Sequence, residues 1–146
     1  MGTLYDIDVV AWSMQQAALL RAGRWTQIDL DNIVEEIESV GRAEQREFES
    51  RFAQLLTNLL KWCYRPGERS EAERATIDMQ RGSIMRQLKK TPSLRHELLN
   101  AEWLKDVWDV AVVEAEEQTE LEAFPEQPAW KVAQVLAPAF YPESLA

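Results

Sequence analysis

The strongest constraint on the fold is a conflict inside the longest helical segment. Over residues 33–62 apolar side chains recur at helical spacing. At about 100° per residue, Ile37, Val40, Leu55 and Trp62 all fall within about 40° of Ile33. Glu44, Glu47, Arg51 and Asn58 fall in the same sector. A face that patterning predicts as dry therefore carries two acids, a guanidinium and an amide. Desolvating such groups is costly unless they pair. The cluster is either a structural polar network or a functional site.

The rest of the chain reads as helix after helix. A first helix is predicted over 8–22, with Asp6 or Asp8 as cap and Gly23 where a helix-ending glycine belongs. The second starts at the Asp29–Asp31 pair, runs to Cys63 and is stopped by Pro66-Gly67. The third spans 70–90. Ser70 and Glu73 have capping-box spacing, and Lys89-Lys90 suits the C-terminal dipole. The fourth spans 91–118 from Thr91-Pro92, and a short fifth spans 128–136. The expected fold is all-α, with four principal, mostly antiparallel helices and a short C-terminal helix, in a single domain over 1–146.

Helix two raises a length problem. Thirty-odd residues extend about 50 Å, whereas a compact chain of this size is roughly 38 Å across. A bend or break within a turn of Gly41, or an end projecting into a partner chain, is expected.

Composition excludes several classes. The net charge of −9 is uneven: residues 1–60 hold 5 basic and 10 acidic side chains, 61–95 hold 9 and 4, and 96–146 hold 2 and 11. That acidity argues against nucleic-acid binding, where phosphate contacts drive affinity. No apolar run approaches the roughly 20 residues of a membrane span, and no secretory leader opens the sequence. The single Cys63 excludes an internal disulfide and fits a cytoplasmic protein.

Catalytic signatures are sparse. No glycine-rich phosphate loop or nucleophile elbow is present. Cys63 has no partnered histidine in the pattern. The one histidine, His96, is expected to face solvent, so no metal and no cofactor are expected. The candidate site is the helix-two cluster Glu44, Glu47, Arg51 and Asn58. Gln80 and Arg81 join it from helix three, on or beside the stripe of Ile77, Ile84 and Leu88. Arginine's fork suits bidentate pairing with carboxylates. Burial would couple Arg51 to Glu44 or Glu47, with Arg81 pointing into the same region. Five of the six tryptophans read as core. Trp103 lies opposite Leu94 and Ala101 on helix four and reads as an exposed partner surface.

Several stretches together carry a family resemblance. They include Leu20-Arg21-Ala22-Gly23-Arg24-Trp25, Asn32-Ile33-Val34-Glu35-Glu36-Ile37-Glu38 with Gly41-Arg42, and Leu59-Leu60-Lys61-Trp62. Thr76-Ile77, Gln80-Arg81, Phe124-Pro125 and Gln134-Val135-Leu136 continue the series. In this order they resemble the bacterial "domain of unknown function 29" family. The resemblance implies an all-helical domain and brings no activity with it. The chain departs from the pattern at Asn58, where a histidine is common, at Glu73, where a tryptophan is common, and at Pro128-Ala129, which replaces a common Cys-Pro. Chemistry that used that histidine or cysteine could not be repeated here unchanged. The functional expectation is a small protein-interaction or regulatory module with a protein partner or a second copy. The alternative is an enzyme or small-anion binder using the Glu/Arg cluster.

Overall fold

The structure is a computed structural model, and it describes residues 2–143. Among these the chain is helical, without strands, so the all-α class holds. No helix is long and apolar enough to cross a membrane among the described residues. The chain divides into two compact units, Met1–Glu44 and Gln45–Ala146.

In the first unit α1 (Leu4–Ile7) leads into α2 (Val9–Arg21). Asp8 starts α2 by accepting from the Ala11 amide at 3.0 Å. Gly23 takes the left-handed conformation just past the end, at φ +70°. Asp29 then opens α3 (Leu30–Tyr64) and organises the unit. Its carboxylate accepts from Trp12 Nε1 at 2.9 Å and from Asn32 Nδ2 at 2.8 Å, and its amide donates to Gln16 Oε1 at 2.7 Å. The Tyr5 ring meets Trp12 edge-on at 4.7 Å, and its hydroxyl donates to Glu36. Only Trp12 and Gln16 are buried among the unit's described residues, so polar contacts rather than a core hold it together.

The hydrogen bonds from Asn32 and Trp12 hold the Asp29 carboxyl below its ordinary value of 3.8. A depressed carboxylate contributes stability above its ordinary value and loses it as pH falls through the folded one. The Trp12 indole N–H resonance is therefore expected to titrate with a midpoint below 3.8. A midpoint at or above that value would contradict the bond.

The predicted break at Gly41 does not occur: α3 is helical throughout its 35 residues. A Cβ at Gly41 would meet nothing within 4 Å.

The second unit contains the rest of α3, then α4 (Glu71–Lys90), α5 (Arg95–Leu98), α6 (Ala101–Thr119) and α7 (Val132–Leu136). Ser70 caps α4 through its Oγ, which accepts from the Glu73 amide at 3.1 Å. Contacts fix the directions. Arg51 meets Gln87 and Asn58 meets Gln80, so α4 runs antiparallel to α3. Phe48 and Phe52 meet Trp103, while Lys61 meets Gln118, so α6 runs parallel to α3. The core is built from Phe48, Phe52, Leu55, Leu56, Leu59 and Leu60 of α3. Ile77, Ile84 and Leu88 of α4 and Val107, Trp108 and Ala111 of α6 close on it. The C-terminal segment adds Trp130 and Val135.

Helix four differs from expectation. A 3-10 turn at Pro92–Leu94 and the short α5 precede a break, and α6 begins at Ala101. Asn100 is the cause, since its Oδ1 accepts from the Glu102 and Trp103 amides at 2.9 and 3.4 Å. Helix five is also shorter than predicted, starting at Val132.

Candidate functional site

The side chains singled out in the sequence do not assemble into one buried cluster. Glu47 pairs with Arg51 one turn on, but the two side chains are 51% and 37% exposed. Arg51 also donates to Gln87 Oε1 at 3.0 Å. Asn58 Nδ2 donates to Gln80 Oε1 at 3.0 Å, about two turns away along α3. Glu44 is half-buried and belongs to the first unit. The Glu47–Arg51 part of this face of α3 is open to solvent. An Arg51→Met change removes a half-exposed pair and is expected to cost about 1 kcal/mol or less. Urea denaturation reads this, and a loss of 3 kcal/mol or more would mean a sealed pair.

Arg81 is the buried arginine, only 3% exposed. It does not point toward Arg51. Its Nε donates to the Val135 carbonyl at 2.9 Å, Nη1 to Pro138 at 3.3 Å and Nη2 to Phe140 at 2.7 Å. Burial pulls its pKa down, while nearby Tyr141 and Asp78 oppose that shift. Arg69 acts similarly, donating to the Trp62 carbonyl at 2.8 Å and the Pro142 carbonyl at 3.4 Å. The two arginines thus bind the C-terminal segment onto α3 and α4.

Trp103 is not an exposed partner surface. It is 5% exposed, stacked on Phe48 at 5.6 Å and edge-on to Phe52 at 5.1 Å. The break at Asn100 resets the helical phase, so a face reckoned continuously from Leu94 was rotated. Its Nε1 is buried and has no hydrogen-bond partner among the described residues. By contrast, Trp108 Nε1 donates to the Pro125 carbonyl at 2.8 Å.

Trp103 lines a cleft of about 660 Å³ along α3 and α6; of the residues singled out in the sequence, Asn58 and Gln80 lie in its wall, and the rest of its lining was missed. Its apolar lining comes from Ala53, Val107 and Val110, and Thr57 joins them with its hydroxyl turned to the Ala53 carbonyl at 2.9 Å. Its charged lining is Glu49, Asp106 and Glu114 with one cation, Arg46. A repeat at 46, 49, 50, 53 and 57 in α3 matched by 103, 106, 107, 110 and 114 in α6 is the signal that would have found it. Among the described residues, no three of His, Cys, Asp and Glu converge to hold a metal ion.

The family model described as "Domain of unknown function DUF29" matches residues 4–141, nearly the whole chain. The chain belongs to the DUF29 family. No curated protein and no solved structure matches it. The DUF29 match covers α1 through α7 and both Arg69 and Arg81, but carries no activity with it.

Proposed function

We propose that this DUF29 chain is a cytoplasmic protein-interaction module that pairs with a second copy of itself through its first unit. One observation carries the reading: the unit's apolar residues face outward. Ile37 and Val40 are 67% and 73% exposed, and Val10 and Met14 of α2 are 66% and 69% exposed. Large apolar side chains exposed in neighbouring pairs on one helix, Val10 with Met14 and Ile37 with Val40, mark association surfaces.

The α3 part of that surface has the spacing of a helix-pairing seam. Leu30, Val34, Ile37 and Gly41 follow a four-three-four step, which keeps them on one face. Between Leu30 and Gly41 the seam carries no charge, and Glu44, the next residue of the step, ends it. Glu35 and Glu38, off the seam, are held by Arg42 at 2.7 and 3.4 Å, and Glu36 accepts from Tyr5. An uncharged patch can face its own copy, as two-fold pairing requires. Gly41 fits the same reading. Inside a helix it costs about 1 kcal/mol relative to alanine, and no neighbour occupies the space at its Cα. A facing backbone can approach there.

The alternative use of the Glu/Arg cluster draws no support from the geometry. Arg81's donors are taken up by three carbonyls, and Arg51 is engaged by Glu47 and Gln87.

Light scattering on the full chain tests the pairing. Wild type is expected to be dimeric at tens of micromolar. Ile37→Asp is expected to be monomeric while changing fold stability by about 1 kcal/mol or less, as exposed substitutions do. Gly41→Gln is expected to weaken pairing yet leave the fold at least as stable, because glutamine is the better helix former. Ile37→Asp and Gly41→Gln chains that pair as well as wild type would refute the seam.

A further inference from the structure

The seam of α3 reads the same from either end. Its four-three-four step inverts onto itself, so a second copy running the opposite way falls into register with it. With the two-fold axis passing between Glu35 and Glu36, Leu30 faces Gly41 and Val34 faces Ile37, and each contact is made twice. The sizes match. Leu30 is 60% exposed, and a Cβ at Gly41 would meet nothing within 4 Å. The leucine of one copy therefore fills the space at the glycine of the other. In a parallel pair glycine would face glycine and leave a gap, whose walls lose their contacts.

The flanks of the seam separate the two directions again. Ile33 and Val40 lie along one side, Asp31 and Glu38 along the other. A two-fold axis across antiparallel helices sets each flank against the same flank of the second copy, whereas parallel helices set opposite flanks together. Antiparallel pairing thus covers Val40, 73% exposed, with Ile33 of the second copy. Parallel pairing would lay Ile33 against Glu38, and desolvating a carboxylate there is costly. Glu44, which ends the seam, falls opposite Gln27 in the antiparallel register, before α3 of the second copy begins at Leu30. In a parallel pair Glu44 would meet its own copy. One like-charge contact remains in the antiparallel pair: Asp31 faces Glu38 at the rim, where salt screens it.

We propose that two copies pair with their α3 segments antiparallel, Leu30 of each seated at Gly41 of the other. This orientation rests on the pairing through α3, and disulfide capture separates the two. Full chains carrying Leu30→Cys and Gly41→Cys are mixed, oxidised with copper phenanthroline and resolved by intact mass. Cys63 is buried, so wild type serves as the uncrosslinked control. The mixed disulfide is expected to dominate. Like positions lie about 16 Å apart along the antiparallel pair, beyond the roughly 7 Å that a disulfide spans between Cα atoms. Predominant Leu30→Cys and Gly41→Cys homodimers would overturn the orientation and leave the pairing standing. So would chains that are dimeric by light scattering yet form no mixed disulfide. Chains that stay monomeric and form no disulfide would overturn both. Asp31→Lys gives a readout independent of cysteine. It places a cation opposite Glu38 and is expected to tighten the dimer by about threefold or more. Asp31→Lys/Glu38→Lys is expected to lose that gain, although it lowers the net negative charge further, because two cations then meet. A double variant that pairs more tightly than Asp31→Lys would show long-range charge acting alone and overturn the proposed register.

Discussion

Arg81→Met is expected to be the most damaging single substitution in this chain, lowering stability by about 3–5 kcal/mol. The guanidinium, carried by α4, is buried and donates to the Val135, Pro138 and Phe140 carbonyls of the C-terminal segment at once. Methionine fills a similar volume but donates nothing. Three carbonyls of one short segment would then be left without their donor. Val135 is buried, so its unmet carbonyl alone costs about 1–3 kcal/mol, and the part-buried bonds to Pro138 and Phe140 add to the loss. The Tyr141 ring, 5.6 Å from the Arg81 guanidinium, loses that cation as well. Urea denaturation measures the total, and hydrogen exchange should rise first over residues 135–141. A loss under about 1 kcal/mol would show that the clamp contributes little.

Trp108→Ala is the second large effect, with an expected loss of about 3–5 kcal/mol. The side chain is fully buried among the core residues of all three long helices of the second unit. It meets Trp130 edge-on at 5.3 Å and donates to the Pro125 carbonyl at 2.8 Å. Alanine leaves a cavity, removes an aromatic contact and strands that carbonyl. Trp108→Phe keeps most of the volume and loses only the donor, so its cost is expected to be about 1–2 kcal/mol. Thermal or urea unfolding distinguishes the pair, and equal losses for the two variants would contradict this division.

The helices were legible because their ends are written in side chains. Asp8, Ser70 and Gly23 each occupy a capping position that the structure uses. The break before α6 was also written, in Asn100, but it was hidden inside a stretch whose apolar spacing reads as continuous. That one misplaced boundary rotated the predicted face and put Trp103 outside. Arg81 illustrates a different limit. Its partners are backbone carbonyls, which every residue carries, so no sequence pattern points to them. The stripe of Ile33, Ile37 and Val40 illustrates a third. Periodicity states which residues share a face, not whether anything covers it, and here Ile37 and Val40 face outward.

That outward face is the center of the functional account, and salt provides its sharpest test. The first unit carries eight acidic and three basic residues, so two copies repel at long range while the apolar stretch from Leu30 to Val40 attracts. Salt screens the repulsion, with a Debye length of about 10 Å at 0.1 M falling to about 3 Å at 1 M, and leaves apolar contact intact. Sedimentation equilibrium of the full chain at low and high sodium chloride reads the balance directly. The account predicts a monomer–dimer equilibrium that tightens as salt rises and is abolished by Ile37→Asp. A chain that stays monomeric at every salt concentration, or a dimer that falls apart as salt rises, would contradict it.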